Sequence, residues 1–251
     1  MALFLFVLAS SAFARKDLPI VYTFNQSLES KTPSLNPEYL VFSSPQGSSE
    51  KVPLLIYLHG AGGVGDQIEK IKGQAMRVWK GLQKFNKGTC IVVAPQCRKR
   101  WVVQDLNLFL QNLKANFPVD SRRIYLTGNS MGGYGTWAWA AHSPEHFAAI
   151  APVVGGIGPK GPKDVTPDLA KWAAKLTTVP VYAFAGAKDK VVPAERSERM
   201  ILAIREAGGK KAKLKIYSSQ GHAAGRVVFS TSDLYDWMFD QQRENSKRSD
   251  N

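Results

Sequence analysis

Residues 122–133 read Arg-Arg-Ile-Tyr-Leu-Thr-Gly-Asn-Ser-Met-Gly-Gly, an apolar run that leads directly into a Gly-x-Ser-x-Gly turn around Ser130. The β-branched and aromatic residues 124–127 predict a strand, and the alanine- and tryptophan-rich residues 134–142 predict a helix. In a strand–turn–helix of this kind the serine is strained, and the residues two before and two after it must be very small. Gly128 and Gly132 meet that requirement.

Six apolar runs alternate with helix-like segments along the chain, at residues 53–58, 90–94, 123–127, 148–153, 179–185 and 214–217. Polar and apolar residues do not alternate within these runs. Each run is therefore predicted to be buried on both faces, as in a parallel sheet between helices. Shorter runs at residues 20–24 and 39–42 are expected to pair at a sheet edge.

The intervening segments support an α/β fold, a doubly wound and mostly parallel sheet with helices on both faces. Residues 106–117 carry leucines at helical spacing, residues 194–207 form an amphipathic helix that ends at two glycines, and residues 226–241 predict a final helix. The connection at residues 152–178 is short, so no large lid is expected.

The first fourteen residues have the pattern of a signal peptide, apolar through residues 3–8 and closing with Ala12-Phe13-Ala14. This predicts a secreted or periplasmic protein with one catalytic domain at residues 15–242 and a polar tail at residues 243–251. No later segment has the length and apolar character of a membrane span, so none is expected.

The formal net charge of +13 favours anionic partners. The basic residues are scattered and form no recognisable nucleic-acid module, so no specific nucleic-acid partner is expected. An acidic polysaccharide, an anionic surface or plain solubility are all compatible with this charge.

The chain has two cysteines, Cys90 and Cys97, at the start and just past the end of a predicted strand. An extended chain would hold them too far apart to pair, so two packed thiols are favoured, although a chain that doubles back could join them. Neither cysteine has metal-ligand spacing with a histidine, and no metal or cofactor is expected.

Three polar side chains each follow a predicted strand. Ser130 follows residues 124–127, Asp189 follows residues 179–185, and His222 follows residues 214–217. Ligands collect at the carboxyl ends of the strands in a doubly wound sheet, and Ser, Asp, His is the chain order that this architecture uses. The predicted roles are nucleophile for Ser130, general base and acid for His222, and orienting acid for Asp189.

Other acids could compete for the orienting role. Asp164 and Asp168 fall in a Pro/Gly-rich connection, and Glu195 falls at a helix start, where a capping or dipole role is favoured. Lys188 and Lys190 flank Asp189 and would favour its ionised form if their ammonium groups lie close.

A glycine-rich loop, residues 59–63, directly follows the strand at residues 53–58. An oxyanion hole needs the backbone amide after the nucleophile, here Met131, and a second amide from such a loop, for which Ala61 is preferred. His59 is interpreted as structural. The loop contains no Gly-Lys-Ser/Thr sequence and no dinucleotide fingerprint, so phosphate binding by this loop is not favoured.

These motifs together resemble the α/β-hydrolase superfamily, and more narrowly its carboxylesterase, phospholipase, predicted-peptidase and feruloyl-esterase-like group. The resemblance is carried by the stretches at residues 58–60, 93–97, 124–137, 144–149 and 155–156. It implies a serine carboxylic-ester hydrolase that forms an acyl-enzyme on Ser130. A serine peptidase on the same scaffold and a secreted non-catalytic binding protein with a basic working surface are the alternatives.

The short connection after residue 152 predicts an open site for short-chain, aryl or polymer-borne acyl esters. Gly62, Trp101 and Gly155 are the candidate substrate-binding residues, Trp101 as a wall of the pocket. The basic residues 98–100 suggest that the ester could be anionic. Oligomeric state does not follow from the sequence.

Overall fold

The computed structural model describes residues 18–42, 50–85 and 89–244. The predicted signal peptide, residues 1–14, lies outside these ranges. So does most of the predicted polar tail, from residue 245 onward.

Eight strands form one sheet in the described part of the chain. They are β1 (Ile20–Thr23), β2 (Leu35–Phe42), β3 (Val52–Leu58), β4 (Ile91–Cys97), β5 (Val119–Asn129), β6 (Ala149–Val153), β7 (Val181–Gly186) and β8 (Ala212–Tyr217). The spatial order is β1-β2-β4-β3-β5-β6-β7-β8. The β1–β2 and β2–β4 pairs are antiparallel and the other pairs are parallel. This confirms the predicted mostly parallel sheet and the strand pair at its edge.

Helices cover both faces of the sheet. They are α1 (Gln26–Lys31), α2 (Glu69–Lys84), α3 (Val103–Asn116), α4 (Met131–His142), α5 (Leu169–Leu176), α6 (Glu195–Glu206), α7 (Gly225–Val228) and α8 (Ser232–Phe239). One buried core lies between the sheet and α3, α4, α5 and α6, and includes Phe109 and Trp137. A second core lies between the opposite face and α2, α7 and α8, and includes Trp79 and Tyr235. Strands β3, β4 and β6 are buried along their whole length because a helix layer packs on each face of the sheet. The prediction that the run at residues 214–217 is buried on both faces is wrong, because β8 is an edge strand and these four residues are half-buried or exposed.

The register brings the carboxyl ends of the parallel strands to one edge of the sheet. Leu58 at the end of β3 pairs with Gly128 of β5, and Asn129 at the end of β5 pairs with Val153 of β6. Gly186 at the end of β7 pairs with Tyr217 of β8. The loops that follow β3, β5, β7 and β8 therefore gather at this edge.

The final predicted helix, residues 226–241, is wrong as one element. The chain forms α7 and α8 instead, separated by Thr231 in an extended conformation with φ −114° and ψ 155°. Backbone bonds from Ser230 to Val227 and from Thr231 to Val228 tighten the end of α7. The Tyr235 hydroxyl of α8 also donates to the carbonyl of Phe229 at the end of α7, so this bond links the two helices across the break.

Cys90 and Cys97 are both buried and unpaired, as the favoured interpretation has it. Burial raises the pKa of the Cys97 thiol to about 12. A thiol of this kind stays protonated near neutral pH.

In the ranges that the structure covers, no helix has both the length and the apolar character that crossing a membrane requires.

Candidate active site

Ser130 lies at the sharp turn between β5 and α4, with φ 58° and ψ −114°. Positive φ in a non-glycine residue is a strained backbone, as the sequence motif predicts. A Cβ on Gly132 would lie 1.9 Å from the Leu58 carbonyl oxygen, and a Cβ on Gly128 would lie 2.3 Å from the Gly132 carbonyl oxygen. These backbone contacts explain why the turn requires glycine on both sides of the serine.

Ser130, His222 and Asp189 form a continuous hydrogen-bonded chain. The Ser130 Oγ lies 2.8 Å from His222 Nε2, and His222 Nδ1 lies 2.8 Å from Asp189 Oδ2. The other carboxylate oxygen, Oδ1, accepts from the amides of Val191 and Val192 at 2.8 and 2.9 Å. A carboxylate held in this way orients the imidazole with its proton on Nδ1, so Nε2 is free to accept from the serine hydroxyl.

The competing acids lie elsewhere. Asp164 packs against Gly158, Asp168 stands before α5, and Glu195 forms ion pairs with Arg196 and Arg199 on α6. Of the four candidate acids, Asp189 is the one whose carboxylate bonds to His222. Its side chain is fully buried, whereas Lys188 and Lys190 are exposed.

Two backbone amides border the serine without an acceptor. The loop after β3 forms a short 3₁₀ turn, Ala61–Gly63, and α4 begins at Met131. Neither the Ala61 nor the Met131 amide donates a hydrogen bond to any group within the described residues. Unpaired amides at the start of a helical turn are able to bind developing negative charge.

His59 is buried beneath this loop and anchors it through a hydrogen bond to Gly60. Its Nε2 accepts from the Cys97 amide at 3.1 Å, so the ring proton lies on Nδ1, which donates to the Gly60 carbonyl at 2.7 Å. Burial lowers the pKa of His59 to about 4, partly offset by the bond to Gly60. The imidazole is therefore neutral near pH 7 and structural.

A pocket of about 920 Å³ opens beside Ser130 and Ala61. Trp101 lines it, with its ring 4.7 Å from the His59 ring and its Nε1 donating to the His59 carbonyl at 3.3 Å. Tyr134 also lines it, one helical turn after the serine. Residues 156 and 158–162 also line the pocket, and this stretch contains no helix.

Gly62 and Gly155 do not line this pocket, although the sequence nominates both as substrate-binding residues. Gly155 is buried, and an added Cβ would lie 2.5 Å from the Gly133 backbone. Its position permits close packing of α4. Gly62 is exposed, with open space around it.

The basic residues 98–100 separate in the structure. Arg98 forms ion pairs with Asp66 at 2.6 Å and Glu29 at 3.9 Å. Arg100 lines the pocket, as does Lys160. Burial raises the pKa of Tyr134, and the charge of the nearby Arg100 partly offsets this rise. Tyr134 and Lys160 are site residues that the sequence patterns do not single out.

A second pocket, of about 360 Å³, lies beside His222. Arg77 and Arg226 line it with Gln74, and neither arginine forms an ion pair with another described residue. Neither pocket is lined by an acidic side chain. Within the described ranges, no cluster of His, Cys, Asp or Glu residues has the arrangement of a metal site.

Residues 88–227 match the dienelactone hydrolase family, and this match spans more than half of the 251 residues. The chain belongs to the dienelactone hydrolase family. That family lies within the α/β-hydrolase superfamily, so the resemblance noted from the sequence motifs is confirmed.

Similar proteins include a "Putative carboxymethylenebutenolidase" of Salmonella typhimurium, 36% identical over 110 residues, which are 41% of this chain and 37% of that protein. A "Probable feruloyl esterase C" of Aspergillus terreus is 25% identical over 133 residues, which are 49% of this chain and 48% of that protein. The chain thus matches less than half the length of these curated relatives.

Among solved structures, a thermostable esterase superposes with a TM-score of 0.73 at 26% identity, over 90% of this chain and 64% of the esterase. This confirms the predicted α/β-hydrolase fold.

Proposed function

We propose that this dienelactone hydrolase family member is a serine carboxylic-ester hydrolase. The observation that carries the proposal is the Ser130–His222–Asp189 chain of hydrogen bonds at the mouth of an open pocket. A serine hydroxyl is a weak nucleophile near neutral pH, and a histidine that accepts its proton activates it.

In the acylation step, Ser130 Oγ attacks the ester carbonyl carbon while its proton passes to His222 Nε2. The tetrahedral oxyanion is stabilised by the Ala61 and Met131 amides. When the carbon–oxygen bond of the ester breaks, the His222 proton passes to the departing alcohol oxygen, and the acyl group stays on Ser130. Asp189 stabilises the imidazolium through Nδ1 during these transfers.

In the deacylation step, a water molecule gives a proton to His222 Nε2 and attacks the acyl carbon. The second tetrahedral intermediate releases the carboxylic acid, and the proton on Nε2 returns to Ser130 Oγ. The sum is ester plus water giving acid plus alcohol, so no other reactant is required.

The proposed substrates are short-chain, aryl or polymer-borne acyl esters. The pocket is open and is lined by the aromatic side chains of Trp101 and Tyr134, and no separate lid helix is found among the residues that the structure describes. Apolar and aromatic linings bind acyl or aryl groups by removing them from water. The esterase and feruloyl esterase relatives are consistent with such substrates.

An anionic group on the ester is part of the proposal. Arg100 and Lys160 line the larger pocket, Arg77 and Arg226 line the smaller one, and the formal net charge of the chain is +13. Cationic clefts raise the local concentration of anionic substrates and their rate of association.

Matched substrates test the reaction class. A set of p-nitrophenyl esters of increasing acyl length and the corresponding p-nitroanilides should show ester turnover that far exceeds amide turnover, with Ser130→Ala as the blank. Comparable turnover of the amides would favour a peptidase. No Ser130-dependent turnover of either series would favour the non-catalytic binding protein.

Export of the protein, with a catalytic domain from residue 15 to residue 242, is also proposed, and it rests on the sequence of residues 1–14. N-terminal sequencing of protein recovered outside the producing cell should begin at Arg15. Recovery of a chain that still carries residues 1–14 would contradict it.

A further inference from the structure

Gln96 has a completely buried carboxamide at the end of β4, one residue before Cys97. Its Nε2 donates to the Gly63 carbonyl at 2.7 Å and to the Gln67 carbonyl at 3.0 Å. Its Oε1 accepts from Asn36 Nδ2 of β2 at 2.6 Å. A buried amide is stable only when its hydrogen-bonding groups are paired, and here this pairing ties three separate segments together.

One of those segments is the loop that presents the Ala61 amide. Gly63 is the last residue of the Ala61–Gly63 turn, and its own amide donates back to the Gly60 carbonyl at 2.9 Å. Gly63 also packs so closely on His59 that an added Cβ would lie 2.5 Å from the ring. The bond from Gln96 therefore fixes the end of a turn that has little room to shift.

A second glutamine holds the other end of the same loop. Gln74 on α2 accepts from the Gly60 amide at 3.2 Å and from the Tyr57 hydroxyl at 3.3 Å through Oε1. The Ala61 amide lies between the two attachment points, Gly60 and Gly63. Neither glutamine lines the pocket beside Ser130.

We infer that Gln96 is a positioning residue of the oxyanion hole, which sets the Ala61 amide through its bond to Gly63, with Gln74 as the anchor at the opposite end of the loop. This inference rests on the proposed function, because it assigns Ala61 a transition-state contact. An oxyanion donor must lie about 2.7–3.1 Å from the developing charge, so a displacement below 1 Å weakens it. Gln96 acts through the loop and does not contact the substrate.

The test replaces Gln96 with methionine, which keeps a similar length but removes every hydrogen bond. Removal of an oxyanion donor lowers kcat by about 10²–10³-fold, so a loosened donor should lower kcat by about 10–100-fold. The KM for a p-nitrophenyl ester should change by less than about 3-fold, because the contact strengthens in the transition state. Inhibition by an alkylboronic acid, which forms a tetrahedral adduct with a serine, should weaken by the same factor as kcat.

Leu113→Ala is the matched control for lost stability. Leu113 is fully buried on α3, and about 15 Å of helix separates it from Val103 at the pocket. Assayed well below its melting temperature, Leu113→Ala should keep kcat within about 2-fold of the unmodified protein. If Gln96→Met does not fold, Gln74→Met carries the same test from the other end of the loop, because Gln74 is only half-buried.

The inference is overturned if a folded Gln96→Met keeps kcat and boronate affinity within 2-fold, or if its losses match those of Leu113→Ala. If Gln74→Met is used in place of Gln96→Met, the same 2-fold limits on kcat and boronate affinity apply, and so does the comparison with Leu113→Ala. These outcomes would leave Ser130-dependent hydrolysis by the unmodified protein intact. Activity that survives in Ser130→Ala would overturn the proposed function and this inference together.

Discussion

The Ser130 hydroxyl oxygen lies 2.8 Å from His222 Nε2, although 92 positions separate the two residues in the chain. Their meeting depends on the parallel register that aligns the ends of β5, β6, β7 and β8. The proximity of the two residues is therefore a consequence of the sheet topology. The proposed catalytic role of each residue in the hydrogen-bonded chain can be tested by substitution.

Asp189→Asn should lower kcat by about 10³–10⁴-fold with little change in KM, because an amide at this position favours the wrong imidazole tautomer. Steady-state kinetics on a p-nitrophenyl ester measure this. The matched control is Asp164→Asn, because Asp164 does not bond to His222. A loss of less than 10-fold in Asp189→Asn would remove Asp189 from the proposed mechanism.

Gly132→Ala should destabilise the protein by about 3 kcal/mol or more, since its Cβ would lie 1.9 Å from the Leu58 carbonyl oxygen. The same substitution at Gly73, in the middle of α2 with open space around it, should stabilise the protein by about 1 kcal/mol. Urea unfolding followed by circular dichroism gives both values. Equal effects of the two substitutions would show that the turn around Ser130 is not sterically restricted.

The stability of the folded protein should decrease as the pH is lowered, because His59 is buried in its neutral form. Its pKa is about 4 in the folded protein against 6.5 in the unfolded chain. Between these values the unfolded chain binds a proton that the folded protein does not, so acidification favours unfolding by up to about 3 kcal/mol in total. The contribution is fully present above pH 6.5 and is lost as the pH falls towards 4.

His59→Gln isolates this effect from other titrating groups. The difference in unfolding free energy between the unmodified protein and the variant should narrow by about 2–3 kcal/mol from pH 7 to pH 4.5. Urea unfolding at several pH values measures it. A difference that stays constant with pH would mean that His59 is not held neutral by burial.

Arg100→Gln should lower kcat/KM for a carboxylate-bearing ester by about 5–10-fold and leave a neutral ester of similar size within 2-fold. Added salt should reduce the loss. Arg98→Gln removes the same formal charge from an ion pair with Asp66 and should have a smaller effect on the anionic ester. Equal losses in both variants would assign the effect to net charge alone.

Much of the fold follows from local sequence. Runs of buried apolar residues predict β3, β4, β5, β6 and β7, because a strand between two helix layers needs no polar alternation. The glycines around Ser130 predict its turn because their requirement is steric and local. The order of Ser130, Asp189 and His222 after their strands predicts where they meet.

The break between α7 and α8 cannot be predicted from the local sequence. It depends on the Tyr235 hydroxyl, which lies within hydrogen-bond distance of the carbonyl oxygens of Phe229 and Val78, the second of which is 157 positions away. Helix α2 is not among the helices that the patterns single out, although Ile71, Ala75 and Leu82 are buried at helical spacing.

The pocket walls are also set by distant contacts. The stretch at residues 98–100 does not indicate that Arg98 pairs with Asp66 while Arg100 faces the pocket. Likewise, the position of Gln96 in its motif does not indicate the partners of its amide, Asn36 and Gly63, which come from other strands and loops. Such roles require the assembled structure.

Covalent labelling tests the central claim most directly. A fluorophosphonate should modify the folded protein at one site per chain, with the phosphorus on Ser130 as shown by peptide mass spectrometry, and His222→Ala should slow the modification by at least about 10³-fold. Labelling of a different residue, or labelling of Ser130 at an unchanged rate in His222→Ala, would contradict the account.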